Sequence, residues 1–146
     1  GGTTALTIDS TGRVLKPVIP YGQASCNVAI ASVNKVQLTS NIITGGGLTV
    51  DQTNERMIVP VSGLYRLGFT HLVDGGITAN TTVNIRRNGT VIQGSHGQTT
   101  ANSEYGHLST NIIQVLSAND YIEWFCIAGQ THNNANYNNM YVYLLG

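Results

Sequence analysis

Short segments of alternating apolar and polar residues recur along the chain and predict β-strands. In Leu64–Leu72 every second residue, from Tyr65 to His71, shares one face, so that face is expected to point toward a core. Tyr121–Ala128 alternates in the same way and places Trp124 on one side of the strand. No segment keeps the 3.6-residue period of an amphipathic helix. The pattern therefore predicts an all-β protein.

Turn residues separate the predicted strands. Asn88-Gly89 is the strongest hairpin signal in the chain and divides Thr81–Arg87 from Thr90–Gln93. Further strands are predicted at Asn27–Ala31, Lys35–Leu38, Leu48–Val50, Arg56–Pro60, His107–Leu116 and Met140–Leu145, and polar loops at Thr39–Gly47, Gly94–Gly106 and Gly129–Asn139. About eight to ten short strands joined by Gly- and Asn-rich turns indicate an antiparallel sandwich or jelly roll.

The first 25 residues differ from the remainder. Leu6–Val14 predicts two short strands around an Asp-Ser-Thr-Gly turn, and Pro17 and Pro20 then favour an extended course. We expect an N-terminal arm or connector over residues 1–25 and one domain over residues 26–146. Because the chain begins at Gly1-Gly2 and not at Met, we also expect a processed product or part of a longer protein.

Composition excludes several classes of function. Only 10% of the residues are charged, with seven basic and seven acidic side chains, so no basic stripe for nucleic acid is expected. No apolar run reaches the roughly 20 residues of a membrane span. Low charge favours burial against other subunits. Cys26 and Cys126 are expected to be buried free thiols, and a disulfide between them remains the alternative.

The order of the elements resembles the C1q/TNF-like family over about residues 24–146. The residues that carry the resemblance are Pro60, Gly63, Tyr65 and Phe69; Val83, Ile85, Asn88 and Gly89; Val115, Leu116, Ala118, Asp120 and Trp124; and the closing strand Tyr141–Gly146. The family usually has Gly where this chain has Asn119, and Asn also tolerates a left-handed backbone. Ile8–Val14, followed by Pro17 and Pro20-Tyr21, resembles the connector before such heads in bacteriophage tail-fibre and other virion proteins.

These resemblances imply a jelly roll of about ten strands that assembles as a tight, non-enzymatic homotrimer. Tyr65, Trp124, Tyr141 and Tyr143 are then expected in the core or at the trimer interface, and the sequence does not divide them between the two. The expected location is the virion surface, with other virion proteins bound through the arm. The leading function is a tail-fibre or receptor-binding head that recognises a host glycan or protein. The alternatives are a capsid-decorating trimer anchored by its arm and, outside any virus, a lectin-like adhesin.

The sequence contains little that indicates a metal site or a catalytic site. The histidines at 71, 96, 107 and 132 have no metal-ligand spacing, and no metal or cofactor is expected. His71 is expected to be a hydrogen-bonded strand histidine. Ser62-Gly63 and Ser95-His96 lack the flanks of a nucleophile elbow, so catalysis is not indicated.

The polar loops are the stronger candidates for binding. Gln130–Asn139 combines many side-chain amides with one tyrosine, the groups that hydrogen-bond to and stack on a sugar. The candidate ligand-binding residues are His132, Asn133, Asn134, Asn136, Tyr137 and Asn138. Ser95–Tyr105 is a second candidate loop. The alternative interpretation is a solvated turn whose Asn side chains satisfy local backbone groups.

Overall fold

A computed structural model describes residues 7–8, 10–12, 14–15, 19–74, 80–100 and 105–146. All regular secondary structure in these ranges is β-strand. The described residues therefore include no helix that could cross a membrane. In chain order the strands are β1 (Thr7–Ile8), β2 (Val14–Leu15), β3 (Tyr21–Ser25), β4 (Asn34–Lys35), β5 (Ser40–Gly45), β6 (Thr49–Asp51), β7 (Arg56–Ile58), β8 (Gly63–Val73), β9 (Asn80–Arg87), β10 (Thr90–Val91), β11 (Gly97–Thr100), β12 (Gly106–Leu116), β13 (Tyr121–Ala128) and β14 (Asn139–Leu144).

Two antiparallel sheets form a sandwich. One has five strands in the order β12-β8-β14-β3-β5. The other has seven strands, with β10-β9-β13-β7-β6 as its path, β11 paired to β9 and β4 paired to β13. β1 and β2 form a separate hairpin. This arrangement confirms the predicted all-β antiparallel jelly roll.

The core lies between the two sheets and follows the alternation read from the sequence. Tyr65, Leu67 and Phe69 of β8 are buried, and Trp124 of β13 is fully buried opposite them. The Trp124 indole Nε1–H donates to the Gly68 carbonyl at 3.2 Å. Because β13 and β8 belong to different sheets, this hydrogen bond joins the two layers.

The two cysteines are free and buried, as expected. Burial raises the pKa of the Cys26 thiol. Burial also raises the pKa of the Cys126 thiol, to about 11. Both side chains are therefore protonated and unreactive in the folded chain at neutral pH.

The tight turns follow the sequence signals. Asn88 and Gly89 adopt positive φ angles of 52° and 80° between β9 and β10, as the predicted hairpin requires. Asn119 also takes a positive φ, of 71°, so it replaces the usual glycine at that turn. The Asp120 carboxylate accepts the Ser117 N–H at 2.8 Å and the Asn88 side-chain amide at 2.6 Å. Asp120 thus holds two turns together.

Several predicted boundaries were wrong, mostly where a strand lies at a sheet edge. Thr39–Gly47 and Gly94–Gly106 were predicted as loops, but they contain β5 and β11. β5 is an exposed edge strand, so it shows no alternation. Asn27–Ala31, predicted as a strand, has no strand.

The five-stranded sheet begins earlier in the chain than the sequence indicated. Tyr21–Ser25, which was assigned to the arm, is β3 and pairs with β14 and β5. Its inward residues are small: a side chain at Gly22 would overlap Leu48 and approach Met57. A strand with Gly and Ala on its core side carries little hydrophobic signal.

His71 is the exception to the apolar core. It lies on the inward side of β8 and is fully buried. Among the residues that the structure describes, neither ring nitrogen has a partner at hydrogen-bonding geometry, so the expected hydrogen bond is not found there. Burial lowers the pKa of His71 to about 4; the Asn138 side chain nearby partly offsets this, and His107 adds to it. The ring is therefore neutral inside the fold at pH 7.

His71 should make the stability of the protein depend on pH. Its folded pKa of about 4 lies below the ordinary histidine pKa of 6.5, so folding favours the neutral ring. The stability this provides is present above pH 6.5 and is lost as pH falls toward 4, by about 3 kcal/mol in total. Urea unfolding of wild type and His71→Leu across pH 4–7.5 tests this. Equal pH slopes in the two proteins would contradict it.

Candidate binding site at the loop end

The sandwich has two chemically different ends. The chain enters at Pro20 and finishes at Gly146 at one end, where Leu144 N–H bonds the Pro20 carbonyl at 2.9 Å and Leu64 N–H bonds the Gly146 carbonyl at 2.8 Å. We call this the terminal end. At the opposite end, segments 26–33 and 129–138 connect the strands, and Tyr105 precedes β12. We call this the loop end.

The segment 129–138 is fastened to its surroundings by backbone contacts. Thr131 N–H donates to the Ile30 carbonyl at 3.0 Å, and the Thr131 hydroxyl accepts the Ile30 N–H at 3.2 Å. His132 N–H donates to the Leu72 carbonyl at 2.9 Å. The loop is therefore anchored both to β8 and to the segment after β3, and its geometry is set by the scaffold.

Asn138 is the central anchor of this loop. Its side-chain oxygen accepts the Leu72 N–H at 2.9 Å, and its amide NH₂ donates to the Cys26 carbonyl at 3.3 Å and to the His132 carbonyl. The side chain is fully buried. Asn138 was predicted to contact a ligand; in the structure its polar atoms bond to backbone groups inside the fold, so it acts as a scaffold residue.

A cavity of about 360 Å³ opens beside the loop. It is lined by Leu72, Tyr105, His132, Asn134 and Tyr137. Tyr105 is 64% exposed and Tyr137 is 51% exposed, large values for aromatic side chains. The Tyr105 ring meets His132 edge to face, with centroids 5.1 Å apart. Two accessible tyrosine rings thus border one concave surface.

His132 is positioned by an acidic neighbour. Its Nε2 lies 3.6 Å from Asp74 Oδ1, and Asp74 Oδ2 accepts the Gln130 side-chain amide at 3.3 Å. A metal site is not assembled here: over the described ranges no three His, Cys, Asp or Glu side chains group together. The arrangement orients the imidazole ring at the cavity wall.

The structure divides the candidate residues into three groups, and the buried Asn138 alone forms the first of them. His132, Asn134 and Tyr137 line the cavity. Asn133 and Asn136 are exposed beside it, and Asn136 N–H donates to Asn134 Oδ1 at 3.0 Å. Leu72 was not among the predicted site residues. Tyr105 was not singled out as one either, although it ends the second candidate loop. The outward alternation of β8 was the available signal for Leu72.

Ser95 and Ser62, the two serines considered above as nucleophiles, make hydrogen bonds that stabilise the fold. The Ser95 hydroxyl donates to the Ile85 carbonyl at 3.0 Å and accepts the Ile85 N–H at 3.1 Å. The Ser62 hydroxyl accepts the Ala118 N–H at 2.9 Å. Neither has a base beside it in these contacts.

The four predicted aromatic anchors separate by sheet face. Tyr65 and Trp124 lie in the core. Tyr141 and Tyr143 lie on the outward side of the five-stranded sheet, with ring centroids 5.5 Å apart, and Tyr143 also stacks with Tyr21 at 6.5 Å. We call this outward side the tyrosine face; its exposed aliphatic residues are Ile43, Leu64, Ile113 and Val115.

Comparison with known proteins identifies the fold. No protein-family model and no curated protein matches the sequence. Eiger TNF from S. frugiperda superposes with a TM-score of 0.69 at 11% identity, over 90% of this chain and 94% of that chain. Murine APRIL at pH 5.0 gives a TM-score of 0.69 at 15% identity, over 87% and 99%. The likeness confirms the predicted C1q/TNF-like jelly roll, and at these identities it shows the fold alone.

Replacing Asn138 should loosen the loop end. Asn138→Ala leaves the Leu72 N–H and the Cys26 and His132 carbonyls without their buried partner, which should cost about 2–4 kcal/mol of unfolding free energy. Amide exchange should accelerate at Leu72. The matched control is Asn136→Ala, whose exposed side chain should change stability by less than about 0.5 kcal/mol. Equal losses in urea unfolding of the two variants would refute the anchor role.

Proposed function

We propose that this chain is a non-enzymatic homotrimeric surface protein that buries its tyrosine face around a three-fold axis and presents its loop end for recognition. The observation that carries the proposal is the tyrosine face itself. Ile113 is 61% exposed and Val115 is 65% exposed there, beside three tyrosine rings. Contiguous apolar surface of this kind marks an interaction site.

The outward side of the seven-stranded sheet provides the contrast. There the Arg86 guanidinium lies 3.6 Å from the Phe125 ring centroid, and Arg56 lies 4.8 Å from that of Tyr121. The Glu123 carboxylate pairs with Lys35. Charged groups cover the aromatic rings on this side, as suits a surface in water. On the tyrosine face, Arg66 is the only described cation above a ring, and it lies 5.9 Å from the centroid of Tyr141.

The fold supports a trimer built through this face. The fold is similar to that of Eiger TNF, and the resemblance of the sequence to the C1q/TNF-like family implies a homotrimer. With a three-fold axis along the strands, the three loop ends would gather at one end of the axis. The three terminal ends would gather at the other, where an N-terminal segment can join a larger assembly. Recognition and attachment would then lie at opposite ends of one rigid body.

The N-terminal segment favours a viral setting. Ile8–Val14 with Pro17 and Pro20-Tyr21 resembles virion connectors, and the pairing of β1 with β2 matches the predicted short hairpin. We therefore propose a bacteriophage tail-fibre or receptor-binding head at the virion surface. A capsid-decorating trimer would use the same fold and the same arm. Electron microscopy of the parent particle separates them: density at a fibre tip supports the head, and density on the shell refutes it.

Burying a charge in the tyrosine face should break the trimer. Wild type should sediment at three times the 15.6 kDa chain mass. Ile113→Asp should shift it toward monomer, since taking a carboxylate out of water costs several kcal/mol even with Arg66 opposite it on β8. Sedimentation velocity at micromolar concentration measures both.

Ile127→Asp is the matched control. Ile127 is 36% exposed on β13, in the other sheet, so this variant should sediment like wild type. A wild-type protein that sediments at 15.6 kDa would overturn the proposed trimer.

A further inference from the structure

We propose that the cavity at the loop end binds a neutral pyranose of a cell-surface glycan, with the two exposed tyrosine rings as its stacking surfaces. This inference rests on the proposed recognition role of the loop end and names the chemical class that the loop end takes. Four features of the cavity carry it: exposed rings, unused hydrogen-bonding groups, a described lining that contains no Lys or Arg, and rigidity.

The exposed rings are the first feature. Tyr105 and Tyr137 leave more than half of their surface in water although both border a concave site. Tyrosine offers a large rigid apolar surface with a polar tip, at low conformational cost. The C–H face of a pyranose ring is apolar and flat enough to pack on such a ring, while the sugar hydroxyls remain free at its rim.

Unused hydrogen-bonding groups are the second feature. Asn134 Oδ1 accepts the Asn136 N–H, and the Asn134 backbone carbonyl accepts the Tyr137 N–H at 3.1 Å. The Asn134 amide NH₂ makes no hydrogen bond to the described chain, and neither do the Tyr105 and Tyr137 hydroxyls. Donors and acceptors therefore stand beside the aromatic surfaces, where hydroxyl groups of a sugar would need them.

Charge selects the kind of sugar. No Lys or Arg is among the described residues that line the cavity. The nearest described carboxylate, Asp74, is held by Gln130 and faces His132. A sialic acid, a uronic acid or a phosphate would enter without a cation to pair with its charge, and beside an acidic group. A neutral sugar has no such cost.

Size and rigidity complete the argument. About 360 Å³ is at the small end of ligand cavities, suited to one or two sugar rings. The wall is fixed before any ligand arrives, because His132 is bonded to Leu72 through the backbone and Asn138 clamps both. A preformed site spends little of its binding energy on ordering itself.

Titration of the intact protein with simple glycosides, followed by NMR, tests the site. Methyl glycosides of glucose, galactose, mannose and N-acetylglucosamine are the probes, with N-acetylneuraminic acid and glucuronic acid as the charged comparisons. At least one neutral glycoside should shift the resonances of Tyr105, Asn134 and Tyr137. Tyr105→Ala and Tyr137→Ala should each weaken binding about tenfold or more, which corresponds to about 1.4 kcal/mol.

Two variants separate stacking from loss of structure. Tyr137→Phe keeps the ring and should bind within about threefold of wild type. Thr49→Ala changes an exposed residue of β6 outside the cavity lining and should leave binding unchanged. If Tyr137→Phe weakens binding as much as Tyr137→Ala, the stacking role is overturned.

The sugar site and the proposed function fail in different ways. No shift at those residues with any neutral glycoside, or tighter binding of the acidic sugars, overturns the sugar site. Binding of the protein to cells that the parent particle infects is measured separately. Cell binding that persists in excess glycoside overturns the sugar site and leaves recognition intact, whereas absence of any cell binding overturns the recognition role itself.

Discussion

The structure depends on a close approach at Gly68, the point where the core and the tyrosine face meet. On the inner side its carbonyl accepts the buried Trp124 indole N–H, which joins the two sheets. On the outer side the Tyr141 hydroxyl lies where a side chain would begin, so a Cβ at this position would overlap it. The Trp124 contact uses the backbone alone, whereas the close approach of Tyr141 requires that this residue have no side chain. The seam between the sheets and the shape of the outward face are thus set by the same residue.

The core and the turns could be predicted because each had a strong local signal. Alternation in β8 and β13 placed Tyr65 and Trp124 in the interior or an interface, and Asn88-Gly89 placed a hairpin. The edge strand β5 was not predicted, because it has no buried side chain that would produce an alternating pattern. β3 escaped for another reason: its core-facing positions, Gly22 and Ala24, are small because Leu48 and Met57 fill the space above Gly22.

The candidate site was only partly predictable, because the sequence does not distinguish an asparagine that faces solvent from one that is buried as an anchor. Asn134 and Asn138 lie four positions apart in one polar loop, yet one lines a cavity and the other is a buried anchor. The difference arises from Leu72 and Cys26, whose backbone groups come from distant parts of the chain. Tyr105 joins the cavity through tertiary packing against His132. His71 is similar, since strand alternation predicted that it faces the core but not that its ring nitrogens would find no hydrogen-bond partner among the described residues.

The chemical state of the two buried thiols can report whether a given molecule has unfolded. Cys26 and Cys126 are inert while the sandwich stays closed, since burial raises the pKa of both thiols and keeps them protonated. They become reactive only when the core opens, because unfolding returns the pKa of each thiol to about 8.5. An oxidised or alkylated cysteine in this protein would therefore report that a given copy had once unfolded. In an oxidising medium the protein would accumulate such modified cysteines at the rate at which individual chains unfold.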